Sequence, residues 1–197
     1  MKNKNQNFLK LQKSIQDIFG IVDTEELQQI SALFAWEYVP KNTKILMQDK
    51  SCYKMYFLLS GYLRIYAETA EKQVTQWIAN ENYFVTDLSS FIFDTSNRWN
   101  FETITDVEVY SITKEDYKKI RDLIPKWLEI ERLFIIKCFT TLEDRIFSHL
   151  SMTAEERYLH YFNINKEIFK HVPLQYLASM LGMTPETFSR IRKKQHL

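Results

Sequence analysis

The sequence predicts an α+β protein: helices lead into an antiparallel β-roll (jelly roll), a long helix follows, and a helix-turn-helix closes the chain. Three observations carry that expectation. Apolar side chains recur at helical spacing up to Pro40, at a period near two between Thr43 and Ile112, and at helical spacing again after Thr113. The chain has 197 residues, 45% of them apolar and 15% aromatic, enough to bury about 70% of its unfolded surface. From Val172 onward, two short helical patterns flank a glycine.

The elements follow in order. Phe8, Leu11, Ile15, Ile18 and Phe19 recur at three and four, and Asp23 with Glu26 three places later opens a second helical pattern through Leu27, Ile30, Leu33 and Phe34, closed by Pro40. Strands are expected over Thr43–Gln48, Lys54–Leu59, Tyr62–Glu68, Lys72–Ile78, Phe101–Thr105 and Val107–Ile112, all rich in β-branched and aromatic residues. Ser60-Gly61 is expected to turn a hairpin between Tyr56 and Tyr66, because glycine takes positive φ without strain. Thr113 with Asp116 marks the return to helix, and Pro125 suits the first turn of a long helix running to Leu150. That helix has two apolar stripes, Leu128, Arg132, Ile135, Phe139, Leu142 and Ile146 on one side and Trp127, Ile130 and Phe134 on another, so one can pack on the roll and leave the other for a second copy of the chain. Thr153 to Glu156 has the form of a capping box that starts the next helix. The expected domains are 1–124 (β-roll sensor with N-terminal helices), 125–150 (connecting and dimerisation helix) and 151–197 (helix-turn-helix).

Composition excludes several classes of function. Basic and acidic side chains number 26 and 25, a net charge of +1, and no apolar run is long enough for a membrane span or a signal peptide, so a cytoplasmic location and no membrane partner are expected. Two cysteines, Cys52 and Cys138, are too few for a four-thiolate cluster, and Cys138 on an apolar helix suits an inert packed thiol. The four histidines are scattered, and Glu156 with His160 suits a solvated pair, so no metal is expected. Three glycines (Gly20, Gly61, Gly182) permit neither G-x-G-x-x-G nor a phosphate-binding P-loop. No nucleophile lies beside a base and no carboxylates pair in an evident pocket, so an enzyme is not expected.

The chemistry-bearing segment is the last one. Leu174, Leu177, Ala178 and Leu181 give its first helix an apolar side, Gly182 supplies the turn, Thr184 caps the second helix, Pro185 takes its first position, and Phe188 and Ile191 face back. The outward face carries Glu186, Ser189 and Arg190. An arginine can donate twice to guanine O6 and N7 and a glutamate can accept from cytosine N4, so these are the expected base-reading residues. Thr184, Thr187, Arg192, Lys193 and Lys194 suit the phosphate backbone, which supplies affinity without reading sequence. Double-stranded DNA is the expected partner. The competing reading is a ligand-binding module whose C-terminal helices contact protein.

The segment Leu177-Ala178 through Gly182 to Thr184-Pro185-Glu186-Thr187-Phe188-Ser189-Arg190-Ile191, with the preceding roll and long helix in the same order, resembles the Crp/Fnr superfamily of transcription regulators, the cyclic AMP receptor protein and its relatives. The resemblance implies a cyclic-nucleotide-binding-type roll, a homodimer, a winged-helix-like reader, RNA polymerase as a partner, and base contacts from Glu186 and Arg190. Pro185 stands where the family often has Arg and cannot make that contact, so a different base preference is implied.

The cyclic-nucleotide members bind phosphate through a Gly-Glu pair and an Arg followed by Ser or Thr. Here the corresponding stretches are Asn82 to Phe91 and Asn97 to Asn100: the glycine is missing and Trp99 replaces the small hydroxyl residue. Cyclic AMP is therefore not expected as effector, no cofactor is expected, and the effector stays unidentified. Phe84, Thr86, Asp87, Arg98 and Trp99 are the candidate effector-pocket residues, Arg98 as a remnant of the phosphate-binding arginine or a solvated loop residue. Tyr83, Phe84, Phe91, Phe93, Trp99 and Phe101 can line an apolar pocket or form the core of the roll.

Overall fold

A computed structural model describes residues 2–21 and 23–195. Helices α1 (Lys2–Phe19) and α2 (Thr24–Ser31) precede strands β1 (Ala35–Val39), β2 (Lys44–Leu46), β3 (Lys54–Ser60), β4 (Leu63–Glu68), β5 (Gln73–Ala79) and β6 (Phe84–Val85). Helix α3 (Leu88–Phe93) and strands β7 (Asn100–Thr103) and β8 (Val107–Thr113) complete the roll. Then come α4 (Lys114–Leu123), α5 (Trp127–Ser151), α6 (Ala154–Ile164), α7 (Ile168–His171), α8 (Leu174–Met180) and α9 (Pro185–Lys194).

The strands form two four-stranded antiparallel sheets, in the orders β1-β8-β3-β6 and β2-β7-β4-β5. They share one core with α1 and α5, which includes Phe57, Leu58, Leu63, Phe101, Val109 and Ile112. The expected hairpin at Ser60-Gly61 is a corner instead. Strands β3 and β4 belong to different sheets: β3 pairs with β8 and β6, β4 with β5 and β7. Gly61 takes φ +86, and a Cβ there would lie 2.4 Å from the Asp106 carbonyl, so the corner is possible only without a side chain. The hairpin lies one strand later, where Glu68 pairs with Gln73 across a loop closed by Thr69.

Two strands escaped the periodicity. Helix α2 stops at Ser31, and Ala35–Val39 is a strand rather than a continuation of helix, because β8 offers it a five-residue antiparallel edge. Phe84–Val85 is too short to show a period. Thr113 caps α4 through the Asp116 N–H at 3.1 Å, and Asp23 caps α2 through the Glu26 N–H at 2.9 Å. Pro125 stands outside α5, which starts at Trp127 with Lys126 as its N-cap.

Helix α5 separates its two stripes as the spacing suggested. Trp127 is buried, and Ile130 and Phe134 pack against the core, where Phe19 of α1 meets Trp127 and Phe134 at ring distances of 5.3 and 4.8 Å. Leu128, Ile135, Phe139, Leu142 and Ile146 are exposed, Phe139 by 59%. Cys138 is half-buried, and burial pushes its thiol pKa up. Among the described residues no helix is long and apolar enough to cross a membrane.

Candidate nucleic-acid interface

Helix α8 buries Leu177, Ala178 and Met180, and its end is a paired glycine cap. The Gly182 N–H donates to the Ser179 carbonyl at 3.1 Å and the Met183 N–H to the Ala178 carbonyl at 3.0 Å, with Gly182 at φ +66. Thr184 then caps α9, its hydroxyl accepting from the Thr187 N–H at 3.2 Å, and Pro185 occupies the first turn. Phe188 and Ile191 are buried. Phe188 meets Tyr158 of α6 edge-on at 5.1 Å and Phe169 of α7 at 6.0 Å. These apolar anchors fix which face of α9 points outward.

That face carries Pro185, Glu186, Ser189, Arg190 and Lys193, which together line one shallow, open concavity. Glu186, Arg190 and Lys193 are exposed, and Ser189 and Thr187 are half-buried. Hydrogen bonds from its own backbone N–H and from the Thr184 hydroxyl hold the Glu186 carboxyl below the ordinary carboxylate range, so it is an acceptor at neutral pH. Thr184 Oγ1, besides accepting at the cap, lies 3.3 Å from Thr187 Oγ1. Arg192 is half-buried. Lys194 is held by Glu155 of α6, Nζ to the two carboxylate oxygens at 2.9 and 3.0 Å.

The helical unit is seated on the roll. Ile78 of β5 and Ile104 share a core with Tyr158, Leu177 and Phe188. The Thr75 N–H donates to Ser179 Oγ at 2.9 Å. Arg64, buried in β4, lies between the rings of Tyr66 and Tyr176 at 4.1 and 3.8 Å and donates from Nε to Thr75 Oγ1 at 3.0 Å. Arg145 of α5 lies over Trp77 at 4.9 Å and reaches the Gln76 carbonyl. Nothing local in the sequence marks Arg64, Arg145 and Tyr176, whose partners across this contact lie about 70 to 110 residues away.

The candidate effector residues divide. Phe84 belongs to an aromatic cluster with Phe57, Phe19 and Phe34 at 4.8, 5.7 and 6.2 Å. Phe91 and Phe101 are also core, Trp99 packs against it, and Phe93 is 75% exposed, in neither core nor pocket. Thr86 donates to the Lys54 carbonyl at 3.1 Å. Asp87 is buried at the N-terminus of α3. One oxygen accepts from the Ser89 and Ser90 N–H groups at 3.1 and 3.4 Å, the other from the Arg98 N–H at 2.7 Å. The Arg98 guanidinium, largely exposed, lies 3.5 Å from the same carboxylate and over Trp99. Among the described residues no group of three or more His, Cys, Asp or Glu is placed to hold a metal ion, and Glu156 is turned back onto the Thr153 N–H at 2.7 Å.

The order of a β-roll, a long helix and a C-terminal helical unit is shared with solved structures of transcription regulators. Residues 36–122 match the cyclic nucleotide-binding domain family. Among solved structures, the c-di-GMP responsive global regulator CLP of Xanthomonas campestris has a TM-score of 0.68 at 18% identity, over 88% of this chain and 92% of its own. A protein of Eubacterium rectale described as a Crp/Fnr-family regulator gives 0.68 at 18% identity over 89% and 84%. FixK2 of Bradyrhizobium japonicum gives 0.67 at 16% identity over 83% and 84%. At such identities the likeness is one of fold. No curated protein sequence matches the chain.

Proposed function

We propose that the protein is a homodimeric, sequence-specific DNA-binding transcription regulator of the Crp/Fnr type. The observation that carries this reading is the outward face of α9: an acid and a guanidinium, Glu186 and Arg190, exposed four residues apart on a helix whose other side is fixed by Phe188 and Ile191. Pushed into the major groove, such a face offers an acceptor for cytosine N4 and a two-pronged donor for guanine, while Lys193 and Arg192 meet phosphates. Lys194 joins them only by leaving Glu155.

The exposed apolar stripe of α5 supports the dimer. Five large side chains, Leu128, Ile135, Phe139, Leu142 and Ile146, follow the spacing of a helix seam and face solvent in one copy. A two-fold axis along that seam gives two copies of α9 and a roughly palindromic operator with half-sites about 34 Å apart. RNA polymerase is the natural protein partner of such a regulator.

Cyclic AMP is not its effector in this reading. The Asp87 carboxylate already accepts the Ser89, Ser90 and Arg98 N–H groups, so an incoming phosphate would meet a buried anion instead of free donors. Cyclic AMP at millimolar concentration is expected to leave the thermal unfolding midpoint unchanged, whereas a ligand bound at a hundred times its Kd would contribute about 2.7 kcal/mol.

Selection from a random duplex pool tests the main reading. It is expected to enrich a palindrome whose affinity falls steeply as salt rises. A pool left unenriched would favour a module that uses its C-terminal helices on protein.

A further inference from the structure

The first turn of α6 touches both ends of the reader, and we propose that it is a brace that sets the angle of α9 to α5, making Arg157 and Glu155 positioning residues for half-site spacing. The inference rests on the DNA-binding dimer proposed above.

Arg157 bridges two helix ends. The last carbonyls of a helix have no partner within it and carry the negative end of its dipole. The end of α5 presents the carbonyls of His149 and of its C-cap Met152, and the end of α8 those of its C-cap Leu181 and of Gly182 beyond it. One guanidinium serves both: Nε donates to Leu181 O at 2.9 Å and Nη1 to Met152 O at 2.7 Å, with longer contacts of 3.5 Å from Nη1 to His149 O and from Nη2 to Gly182 O. A planar fork with donors pointing in different directions can do this; a lysine ammonium, a point charge on a flexible stem, cannot hold the same spread.

Two residues earlier, Glu155 holds the far end of α9. It accepts from Lys194 Nζ and, at 2.8 Å, from Gln195 Nε2. One residue after Arg157, Tyr158 packs against Phe188 in the middle. The turn before the recognition helix, its centre and its last residues are thus fixed by three neighbouring side chains of α6. The covalent joint from α5 to α6 is only Met152-Thr153. In a dimer whose axis runs along α5, any freedom at that joint becomes freedom in the distance between the two copies of α9. The ties from α6 remove it.

The test uses the full-length protein and the operator it selects. Wild type, Arg157→Met and Glu155→Gln are titrated against that operator, against versions with the spacer lengthened or shortened by one base pair, and against versions with one base changed inside each half-site. Wild type should prefer its own spacer by roughly tenfold. Each variant should keep the half-site base preference while its spacer preference falls to about threefold or less. Full spacer preference in both folded variants would overturn the brace and leave the DNA reading intact. If Arg157→Met does not fold, Glu155→Gln, a change at the surface, decides alone. A wild type with neither base nor spacer preference would overturn the DNA reading and the brace together.

Discussion

Gly61 shows how much one side chain can decide. It is the corner at which the chain leaves one sheet for the other, with positive φ and no room for a Cβ beside Asp106, Val107 and Thr105. Gly61→Ala is expected to destabilise by at least about 1–3 kcal/mol from backbone strain alone, with the clash added, measurable as a lower urea midpoint. Glu37 makes a second residue-level prediction. Burial pushes its carboxyl up, but hydrogen bonds from Lys54 at 2.6 Å and from Ser111, with the Lys54 charge, outweigh burial and leave it below the ordinary value of 4.5. A depressed carboxyl contributes stability that is present above its unfolded pKa and lost as pH falls through its folded one. Wild type should therefore lose more stability than Glu37→Gln as pH drops below about 4.5; parallel losses in thermal unfolding would contradict this. At the reading face, Arg190→Ala should weaken the selected operator by ~1–3 kcal/mol and random DNA far less, as fluorescence anisotropy would show. The caps at Asp23, Thr113, Thr153 and Thr184 were all readable from sequence, because cap and partner sit three residues apart. Arg157 and Glu155 were not: their partners on α8 and α9 lie 24 to 40 residues away, and the sequence showed only the capping box around them.

Among the elements, α5 was the most legible, because 25 residues give a helical period many turns in which to separate two stripes. The buried stripe is the one with Trp127 and Phe134, and the exposed one is the seam of the proposed dimer. Phe139→Glu puts a charge in the middle of that seam; sedimentation should then show monomers at concentrations where wild type is dimeric, with the secondary structure of the protomer retained. The strands were less legible. A glycine after a serine announces a change of direction but not whether the next strand pairs with the last, and here β4 pairs across to β5 and β7. β1 was hidden because Leu33 and Phe34 prolong the helical pattern of α2 past its end, and because its strand character comes from β8, seventy residues on. The aromatic residues of the roll could not be sorted by type: Phe84, Phe91 and Phe101 went inside and Phe93 outside, according to which face of a short helix or strand each happened to occupy.

At the scale of the molecule, the reader is tied on two sides. Arg64 between Tyr66 and Tyr176, together with Thr75 and Ser179, seats α8 on the roll. The first turn of α6 ties α8 and α9 to the end of α5. A signal received by the roll can alter DNA binding only by changing the relative stability of arrangements that bind DNA differently, and these ties are where such arrangements would differ. In the proposed dimer two copies of α9, related by the seam of α5, read one palindrome. Sedimentation equilibrium of the protein with its selected operator, and with a duplex carrying a single half-site, decides whether they do. Two protomers per operator and a sharp loss of affinity on the half-site duplex are expected; one protomer per operator, or equal affinity for both duplexes, would overturn the proposal.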